Sequence, residues 1–160
     1  MEKIGIGAFF SNPLKSITIP DTVTEIGQFA FAKCVLGSVV LPKNINIIDD
    51  FCFSSRITIT NVNIENITKI GKFAFALVFS RDSKIFENLK TIDAYAFYHC
   101  TLDKFYITKN IEKIDKTAFY NATINQFIIS DDVDKFKLDE NGNLVDAITN
   151  DILCYINTDN

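Results

Sequence analysis

The chain has 160 residues, enough for one domain with a core, and its composition of 48% hydrophobic and 22% charged residues predicts a folded protein. A formal net charge of −4 without a Lys/Arg cluster disfavours a nucleic-acid partner. No apolar run approaches the ~18 residues of a membrane span, so we expect no membrane insertion. The N-terminal stretch MEKIGIGAFF has no small-residue cleavage site and does not read as a signal peptide.

A phrase that starts at residue 4 as IGIGAFF returns along the chain every 22 residues. Its phenylalanines are Phe9, Phe31, Phe53, Phe75, Phe97 and Phe119. The isoleucines five residues earlier keep the same step, at Ile4, Ile26, Ile48, Ile70, Ile92 and Ile114. A third apolar ladder runs through Val23, Ile45, Ile67, Leu89, Ile111 and Val133. A short unit with a strict period predicts a solenoid, in which each repeat buries its apolar face by stacking on its neighbours.

Small residues inside the phrase predict turns and close packing. The residue after the ladder isoleucine is always Gly or Asp, at Gly5, Gly27, Asp49, Gly71, Asp93 and Asp115. Both residue types tolerate left-handed backbone, so we expect the chain to turn there. Ala or Cys52 precedes each ladder phenylalanine, which predicts close backbone approach. The phenylalanine should then point inward and stack on its equivalent one repeat away.

Between the phrases lies an extended segment with the pattern L-x-x-I-x-I. It is clearest at 14–20, 36–42, 102–108 and 124–130. The alternation of its last apolar positions predicts a half-buried strand. Segment 59–65 carries the pattern slipped by one residue, and segment 80–86 fits poorly because Ser80 and Ser83 fall at inward positions. We expect a loop at 80–86.

The whole unit, L-x-x-I-x-I-P-x-x-V-x-x-I-G-x-x-A-F-x-x-C, resembles the BspA-type leucine-rich repeat, and residues 14–34 match it nearly in full. The resemblance covers residues 4–136 and departs from the pattern at 80–86 and at Cys52. It implies a leucine-rich-repeat solenoid that is mainly β, with short strands, turns and little or no regular helix. It also implies a protein-binding role, adhesion to host or matrix proteins, and a cell-surface or secreted location.

The predicted organisation is a single domain with two parts. Residues 1–136 hold about six repeats of 22 residues, and residues 137–160 form a C-terminal hairpin or cap. Asn141-Gly142 is a strong hairpin-turn signal. The stretch DENGN at 139–143 also suggests a calcium loop, but an EF-hand needs its glycine at the sixth position and Gly142 is the fourth residue here. The N-terminus begins mid-repeat with no strand before Ile4, which predicts an open apolar end and favours truncation or self-association.

Chemically reactive residues are few and scattered. We expect Cys34, Cys52, Cys100 and Cys154 to be structural thiols, because their positions fit neither a disulfide framework nor a metal site. His99 lies beside Cys100, and adjacent side chains rarely face each other as a catalytic pair must. We therefore predict no enzyme activity, no cofactor and no bound metal. Asn66 and Asn121 each begin a glycosylation sequon. About two such matches are expected by chance in a sequence so rich in Asn, Ser and Thr.

Two surfaces are candidate binding sites for a protein partner whose identity the sequence leaves open. The strand face consists of the outward positions of the L-x-x-I-x-I strands. Its candidate residues are Thr18, Val40, Lys104, Tyr106, Gln126 and Ile128, with Asn61 and Asn63 in the slipped segment. Solenoids bind partners through extended concave surfaces, which favours a binding role. Ordinary β-propensity and cross-strand packing would equally explain these residues.

The second surface, the aromatic stripe, comprises Phe29, Phe51, Phe73 and Tyr95, again on a 22-residue step. If its segment is extended, the stripe is a second packing ladder, partly covered by its neighbours. If the segment is a short 3₁₀ turn, the stripe is an aromatic surface on the opposite, convex side of the solenoid. The end repeats carry Gly7 and Thr117 instead.

Two functions fit these observations. The first is a protein-binding module, with surface-associated adhesion as the role that the resemblance implies. The second is an intracellular scaffold, or a repeat segment of a larger protein, with no binding role of its own. The lack of a signal peptide in this chain weakens the first.

Overall fold

A computed structural model describes residues 2–55, 64–80 and 86–156, except for the side chain of Ser80. The described residues form strands and turns and contain no helix, which confirms the predicted solenoid class. Each 22-residue repeat forms one coil, and we number the coils 1 to 6 from that of Phe9 to that of Phe119. The predictions for 59–63 and 81–85, including Asn61 and Asn63, lie outside the described residues.

The strands are mostly two to four residues long, and two of them reach seven. In chain order they are β1 (Glu2–Ile4), β2 (Ser16–Thr18), β3 (Val23–Ile26), β4 (Ser38–Val40), β5 (Ile47–Ile48), β6 (Lys69–Ile70), β7 (Phe79–Ser80), β8 (Thr91–Ile92), β9 (Thr101–Ile107), β10 (Lys113–Ile114), β11 (Thr123–Ile129), β12 (Phe136–Leu138), β13 (Leu144–Asp146) and β14 (Ile152–Cys154).

The L-x-x-I-x-I segments form parallel strands, as predicted for 14–20, 36–42, 102–108 and 124–130. Strand β2 pairs with β4, and β7, β9 and β11 pair in that order. The register equals the repeat, so Phe127 lies beside Phe105 and Ile128 beside Tyr106. Each strand therefore presents the same position of the repeat to its neighbour.

A second set of short parallel strands, which the sequence analysis did not predict, ends at the ladder isoleucines. It pairs β1 with β3, and it pairs β5, β6, β8 and β10 in sequence. Ile48, Ile70 and Ile92 are directly aligned in it and fully buried. The expectation of no strand before Ile4 was wrong, because Glu2–Ile4 itself pairs with the edge of β3.

The core is organised by the phenylalanine ladder. Successive rings stack at centroid distances of 5.2, 5.4, 5.8, 5.8 and 5.3 Å from Phe9 to Phe119. Phe105 and Phe127 approach the ladder edge-on from the strands, Phe105 at 5.2 Å from Phe97 and Phe127 at 5.6 Å from Phe119. This confirms the prediction that the ladder rings point inward and stack between coils.

The left-handed backbone positions differ from those predicted. None of the Gly or Asp residues after the ladder isoleucines has a positive φ. Positive φ angles occur at two other places in the turns. One set, 53° to 62°, falls two residues later, at Gly7, Phe29, Phe51, Phe73 and Tyr95, and a second set, 51° to 66°, falls at Ser11, Lys33, Leu77, His99 and Asn121. Glycine is needed at two of the earlier positions for a different reason, since a Cβ on Gly27 or Gly71 would lie within 2.9 Å of the neighbouring coil.

Backbone hydrogen bonds between coils run in opposite directions in two parts of each coil. In the turns after the short strands, a coil donates to the coil that follows it, as in the 2.9 Å bond from Phe31 N–H to the Cys52 carbonyl. At the ends of the short strands, a coil donates to the coil before it, as in the 2.8 Å bond from Gly71 N–H to the Ile48 carbonyl. Both patterns recur along the described coils.

An asparagine ladder joins the corners that precede the short strands β5, β6, β8 and β10. Four side-chain amides donate from one coil to a backbone carbonyl of the previous coil, over 2.7 to 3.0 Å. The donors are Asn44, Asn66, Asn88 and Asn110, and the acceptors are Asp21, Lys43, Glu65 and Glu87. Asn66, a sequon asparagine, thus has a structural role that its 22-residue spacing could have indicated.

The C-terminal residues form the predicted hairpin and extend it to three antiparallel strands, β12, β13 and β14. Gly142, with φ 83°, supplies the turn, and the Asp139 carboxylate accepts the Asn141 and Asn143 N–H groups at 2.9 Å. The Asn143 side chain hydrogen-bonds to this carboxylate and, with the backbone bonds, holds the pKa of Asp139 below its usual range. Phe136, Leu144 and Leu153 are buried on the solenoid core.

Asn143 connects this hairpin to the last described segment. Its side chain is buried, donates to Asp139 over 2.8 Å and accepts the N–H of Ile156 over 3.0 Å. We expect Asn143→Ala to lower the free energy of unfolding by about 1–3 kcal/mol, because it removes two partly buried side-chain hydrogen bonds, one of them to a carboxylate. Urea unfolding would measure this change.

The matched control for that variant is Asn141→Ala. Asn141 lies in the same loop and is exposed, and the hydrogen bond it makes there comes from its backbone N–H. The control should therefore stay close to the wild type. Equal losses in the two variants would contradict the connecting role of Asn143.

Candidate functional site

The aromatic stripe is a second stack of rings, separate from the phenylalanine ladder. Its centroids are 4.6, 5.0 and 4.9 Å apart from Phe29 to Tyr95, and successive planes differ by 6° to 13°. All four rings are half-buried, in turns with left-handed backbone at each stripe residue. The segment is thus neither extended nor a 3₁₀ helix. The stripe packs as a ladder and also keeps part of its surface exposed.

Two tyrosines lie against the C-terminal end of the stripe. Tyr98 contacts Phe73 and Tyr95 edge-to-face at 5.6 and 6.1 Å, and Tyr120 contacts Tyr95 in the same way at 5.9 Å. Tyr98 and Tyr120 are parallel to each other at 6.2 Å. Such arrangements are the favoured geometries of aromatic pairs. The rings support one another in fixed orientations.

These rings belong to a larger exposed surface, which we call the tyrosine patch. It consists of the half-buried Phe73, Tyr95 and Tyr98 and the exposed Leu77, His99 and Tyr120. Leu77 adjoins Tyr98, because the Leu77 N–H donates to the Tyr98 carbonyl over 2.8 Å. Tyr120 is 53% exposed and Leu77 is 40% exposed. Of these six residues, only Phe73 and Tyr95 were predicted from the sequence as part of a binding surface. The missed signal was the replacement of Ala32, Ser54 and Ala76 by tyrosine at the same position of the last two coils.

The strand-face residues are brought together only in part. Lys104 and Gln126 are neighbours across β9 and β11, as are Tyr106 and Ile128, while Thr18 pairs with Val40 in the separate β2–β4 sheet. Val40, Lys104, Tyr106 and Ile128 are half-buried, and Thr18 and Gln126 are exposed. Residues 56–63 separate the two groups and lie outside the described part of the chain. A single face that joins all six residues therefore stays a prediction.

His99 and Cys100 do not form a nucleophile and base. His99 is exposed in a turn, with its Nε2 3.4 Å from the Asn121 amide nitrogen and its ring 4.4 Å from that of Tyr98. Cys100 is 1% exposed, and burial raises the pKa of its thiol. The two side chains thus occupy opposite environments, one in solvent and one in the core.

The cysteines behave as small core residues. Cys34, Cys52, Cys100 and Cys154 are free and buried, and burial raises the pKa of the Cys154 thiol to about 12. Among the residues that the structure describes, no group of three or more His, Cys, Asp or Glu side chains could hold a metal ion. The same residues include no helix with the length and apolarity of a membrane span.

Parallel strands in register with a 22-residue unit, stacked core rings and asparagines at four successive corners define a leucine-rich-repeat solenoid. The family model for the BspA type leucine rich repeat region matches residues 2–137 in six copies. The chain belongs to this family. Comparison with curated proteins and with solved structures found no significant match.

Proposed function

We propose that the chain is a protein-binding module and that the tyrosine patch is its contact surface. The observation that supports this is the exposure of Tyr120 and Leu77 beside Tyr95 and Tyr98, whose rings pack edge-to-face against each other. Tyrosine is enriched at the energetic centres of protein interfaces, and rings that are already held in place lose little conformational entropy on binding. Leucine-rich-repeat solenoids present extended surfaces of this kind to partners.

The chemistry of the patch indicates the kind of partner. Its centre is aromatic and aliphatic, and the tyrosine hydroxyls and His99 add hydrogen-bonding groups. The chain as a whole carries a net charge of −4, which favours encounter with a positively charged surface. We therefore infer a protein segment with apolar side chains flanked by Lys or Arg. Adhesion to host or matrix proteins at a cell surface is the biological role that fits best.

The test compares Tyr120→Ser with Tyr155→Ser. Both tyrosines are largely exposed, at 53% and 68%, so both variants should fold, but Tyr155 lies after β14 and outside the patch. Purified extracellular-matrix proteins would be passed over the immobilised wild type and each variant, and dissociation constants measured. We expect Tyr120→Ser to raise the dissociation constant of a matrix protein that binds the wild type about tenfold or more. Tyr155→Ser should leave that dissociation constant unchanged.

The outcomes separate the alternatives. If both variants weakened binding equally, or if neither weakened it, the patch would not be the contact surface. Binding of no matrix protein by a folded wild type would remove the adhesion proposal and favour a scaffold segment without a binding role. We propose no catalytic role for the chain.

The strand face is a second candidate, favoured by the adjacent half-exposed Tyr106 and Ile128 on β9 and β11. Apolar neighbours on the outer side of a sheet can form the centre of an interface. The variant Val40→Ser, Tyr106→Ser, Ile128→Ser should abolish binding if this face makes the contact. Full binding by this variant, together with loss in Tyr120→Ser, would assign the contact to the tyrosine patch.

A further inference from the structure

His99 belongs to the tyrosine patch and is the only histidine in the sequence. Its side chain is exposed in the turn of coil 5, and its ring lies edge-on to that of Tyr98 with the two centroids 4.4 Å apart. Histidine is the residue type that changes its charge between about pH 5 and pH 8. The other members of the patch are Phe, Leu and Tyr. His99 is therefore the one residue of the patch whose type titrates in this range.

The side chain of His99 also joins coil 5 to coil 6. The amide nitrogen of Asn121 lies 3.4 Å from His99 Nε2, and the backbone N–H of His99 donates to the Tyr120 carbonyl over 3.2 Å. In this orientation the amide nitrogen donates, so Nε2 accepts and the neutral ring carries its proton on Nδ1. Protonation makes Nε2 a donor, and the Asn121 amide must then turn round or move away. A change of charge on His99 thus acts on the turn that carries Tyr120.

Among the described residues, the side chains that make ring contacts or hydrogen bonds with His99 are uncharged. They are Tyr98 from its own turn and Asn121 from coil 6, and the equivalent position of coil 4 is Leu77. The charged residues of these three turns lie five or six residues before the position of His99, and they are Lys72, Asp93, Asp115 and Lys116. Asp93 pairs with Lys69 over 2.9 Å, and the Asp115 carboxylate accepts the Thr117 hydroxyl over 2.6 Å. The imidazolium of His99 would therefore have no carboxylate partner among these contacts.

We propose that His99 makes the tyrosine patch sensitive to pH and that its protonation weakens binding there. This proposal rests on the binding role proposed above for the patch. A partner that covers the patch removes His99 from water, and burial without a carboxylate costs more for the imidazolium than for the neutral ring. The inferred Lys or Arg residues of the partner would also repel the imidazolium. Both effects have the same sign, so binding should be tightest while His99 is neutral and should weaken as the pH falls and His99 becomes charged.

The first test follows the free chain by NMR, because one histidine gives one set of imidazole signals. The ring signals of His99 and Tyr98 would be recorded from about pH 5 to about pH 8, and we expect both to move with the same midpoint. Asn121→Asp places a carboxylate beside Nε2 and should move this midpoint to higher pH, because a nearby negative charge favours the imidazolium. Asn141→Asp makes the same change at an exposed asparagine of the C-terminal hairpin and should leave the midpoint unchanged.

The second test measures the dissociation constant of a matrix protein that binds the wild type, at about pH 7.5 and at about pH 5.5. The same two measurements are made with His99→Gln, whose amide can form hydrogen bonds but stays uncharged. Titration of the matrix protein itself affects both chains equally, so the compared quantity is the ratio of the two constants. We expect this ratio to be about fivefold or more larger for the wild type than for His99→Gln.

Equal ratios in the wild type and His99→Gln would overturn the proposal, as would a smaller ratio in the wild type. Tyr98 signals that do not follow His99, or a midpoint that Asn121→Asp leaves in place, would also overturn it. If the ratios are equal while Tyr120→Ser still weakens binding, the binding role of the patch stands and only its regulation by pH is refuted. Binding of no matrix protein at either pH would overturn both proposals.

Discussion

Replacing Phe53 by alanine is expected to lower the free energy of unfolding by about 3–5 kcal/mol. Phe53 is 1% exposed and lies between Phe31 and Phe75, at 5.4 and 5.8 Å from their ring centroids. The change removes the buried ring and leaves a cavity between two coils. Neighbouring rings are held by their own backbones in register with the repeat, so they cannot move in to fill the cavity.

Phe9→Ala is the matched control, because it removes the same ring from the same position of the repeat. Phe9 stacks only on Phe31 and is half-buried, so the loss should be about half as large or less. Urea unfolding followed by far-UV circular dichroism would measure both variants. Equal losses of unfolding free energy in the two variants would contradict this explanation. They would mean that a ring stacked on both faces contributes no more to stability than a ring stacked on one face.

The second large effect is expected at Gly71, where alanine should cost about 1–3 kcal/mol through overpacking. A Cβ at this position would lie 2.6 Å from Asp50 Oδ1, 2.8 Å from Asp50 N and 3.0 Å from the carbonyl carbon of Asp49. The Asp50 side chain cannot easily withdraw, because it accepts the Lys72 N–H over 2.7 Å. Relief would require coils 3 and 4 to separate locally.

Gly5→Ala tests whether the cost comes from the neighbouring coil or from the backbone itself. Gly5 occupies the same position of the repeat, and an added Cβ there meets no atom within 4 Å. Neither glycine has a positive φ, so both backbones accept alanine. Gly5→Ala should leave the melting temperature unchanged or raise it slightly. A similar decrease in both variants would refute the close-approach explanation.

The solenoid could be predicted from the sequence because one physical requirement recurs in every coil. A buried phenylalanine needs the same neighbours each time, so Phe31 to Phe119 repeat without error. The longer strands β9 and β11 could be predicted equally well, since their apolar residues alternate along the chain. The hairpin followed from Asn141-Gly142, although the role of Asn143 as a buried connector depends on contacts far along the chain.

The turn geometry could not be predicted in the same way. Left-handed backbone at Phe29, Phe51 and Phe73 contradicts local preference, which reserves that conformation mainly for Gly, Asn and Asp. The stacking of these rings on one another, at 4.6 to 5.0 Å, is an interaction between coils that accompanies this backbone. In coil 1 this position is Gly7, which has the left-handed backbone but no aromatic ring. In coil 6 it is Thr117, which does not have left-handed backbone.

The candidate site was predicted incompletely for a related reason. The stripe could be found because Phe73 and Tyr95 belong to a ladder that extends over several coils. Tyr98 and Tyr120 occupy a position where coils 2 to 4 have the small residues Ala32, Ser54 and Ala76, so the tyrosines recur only in the last two coils. Residues that depart from a repeat do not contribute to its period. These departures are the features most relevant to the proposed binding role, since they distinguish one stretch of the solenoid surface from another.

The opposed hydrogen-bond directions of the turns and the short strands affect the electric field of the whole molecule. In an α-helix, all peptide dipoles point the same way, and their sum leaves partial charges at the two ends. Here the Phe31–Cys52 and Gly71–Ile48 bonds point in opposite directions along the stacking axis, so their dipoles largely cancel. A longer stack of such coils therefore accumulates little end charge, and adding or losing a coil changes the field at the two ends only slightly. The electrostatics of each end are then set mainly by side chains.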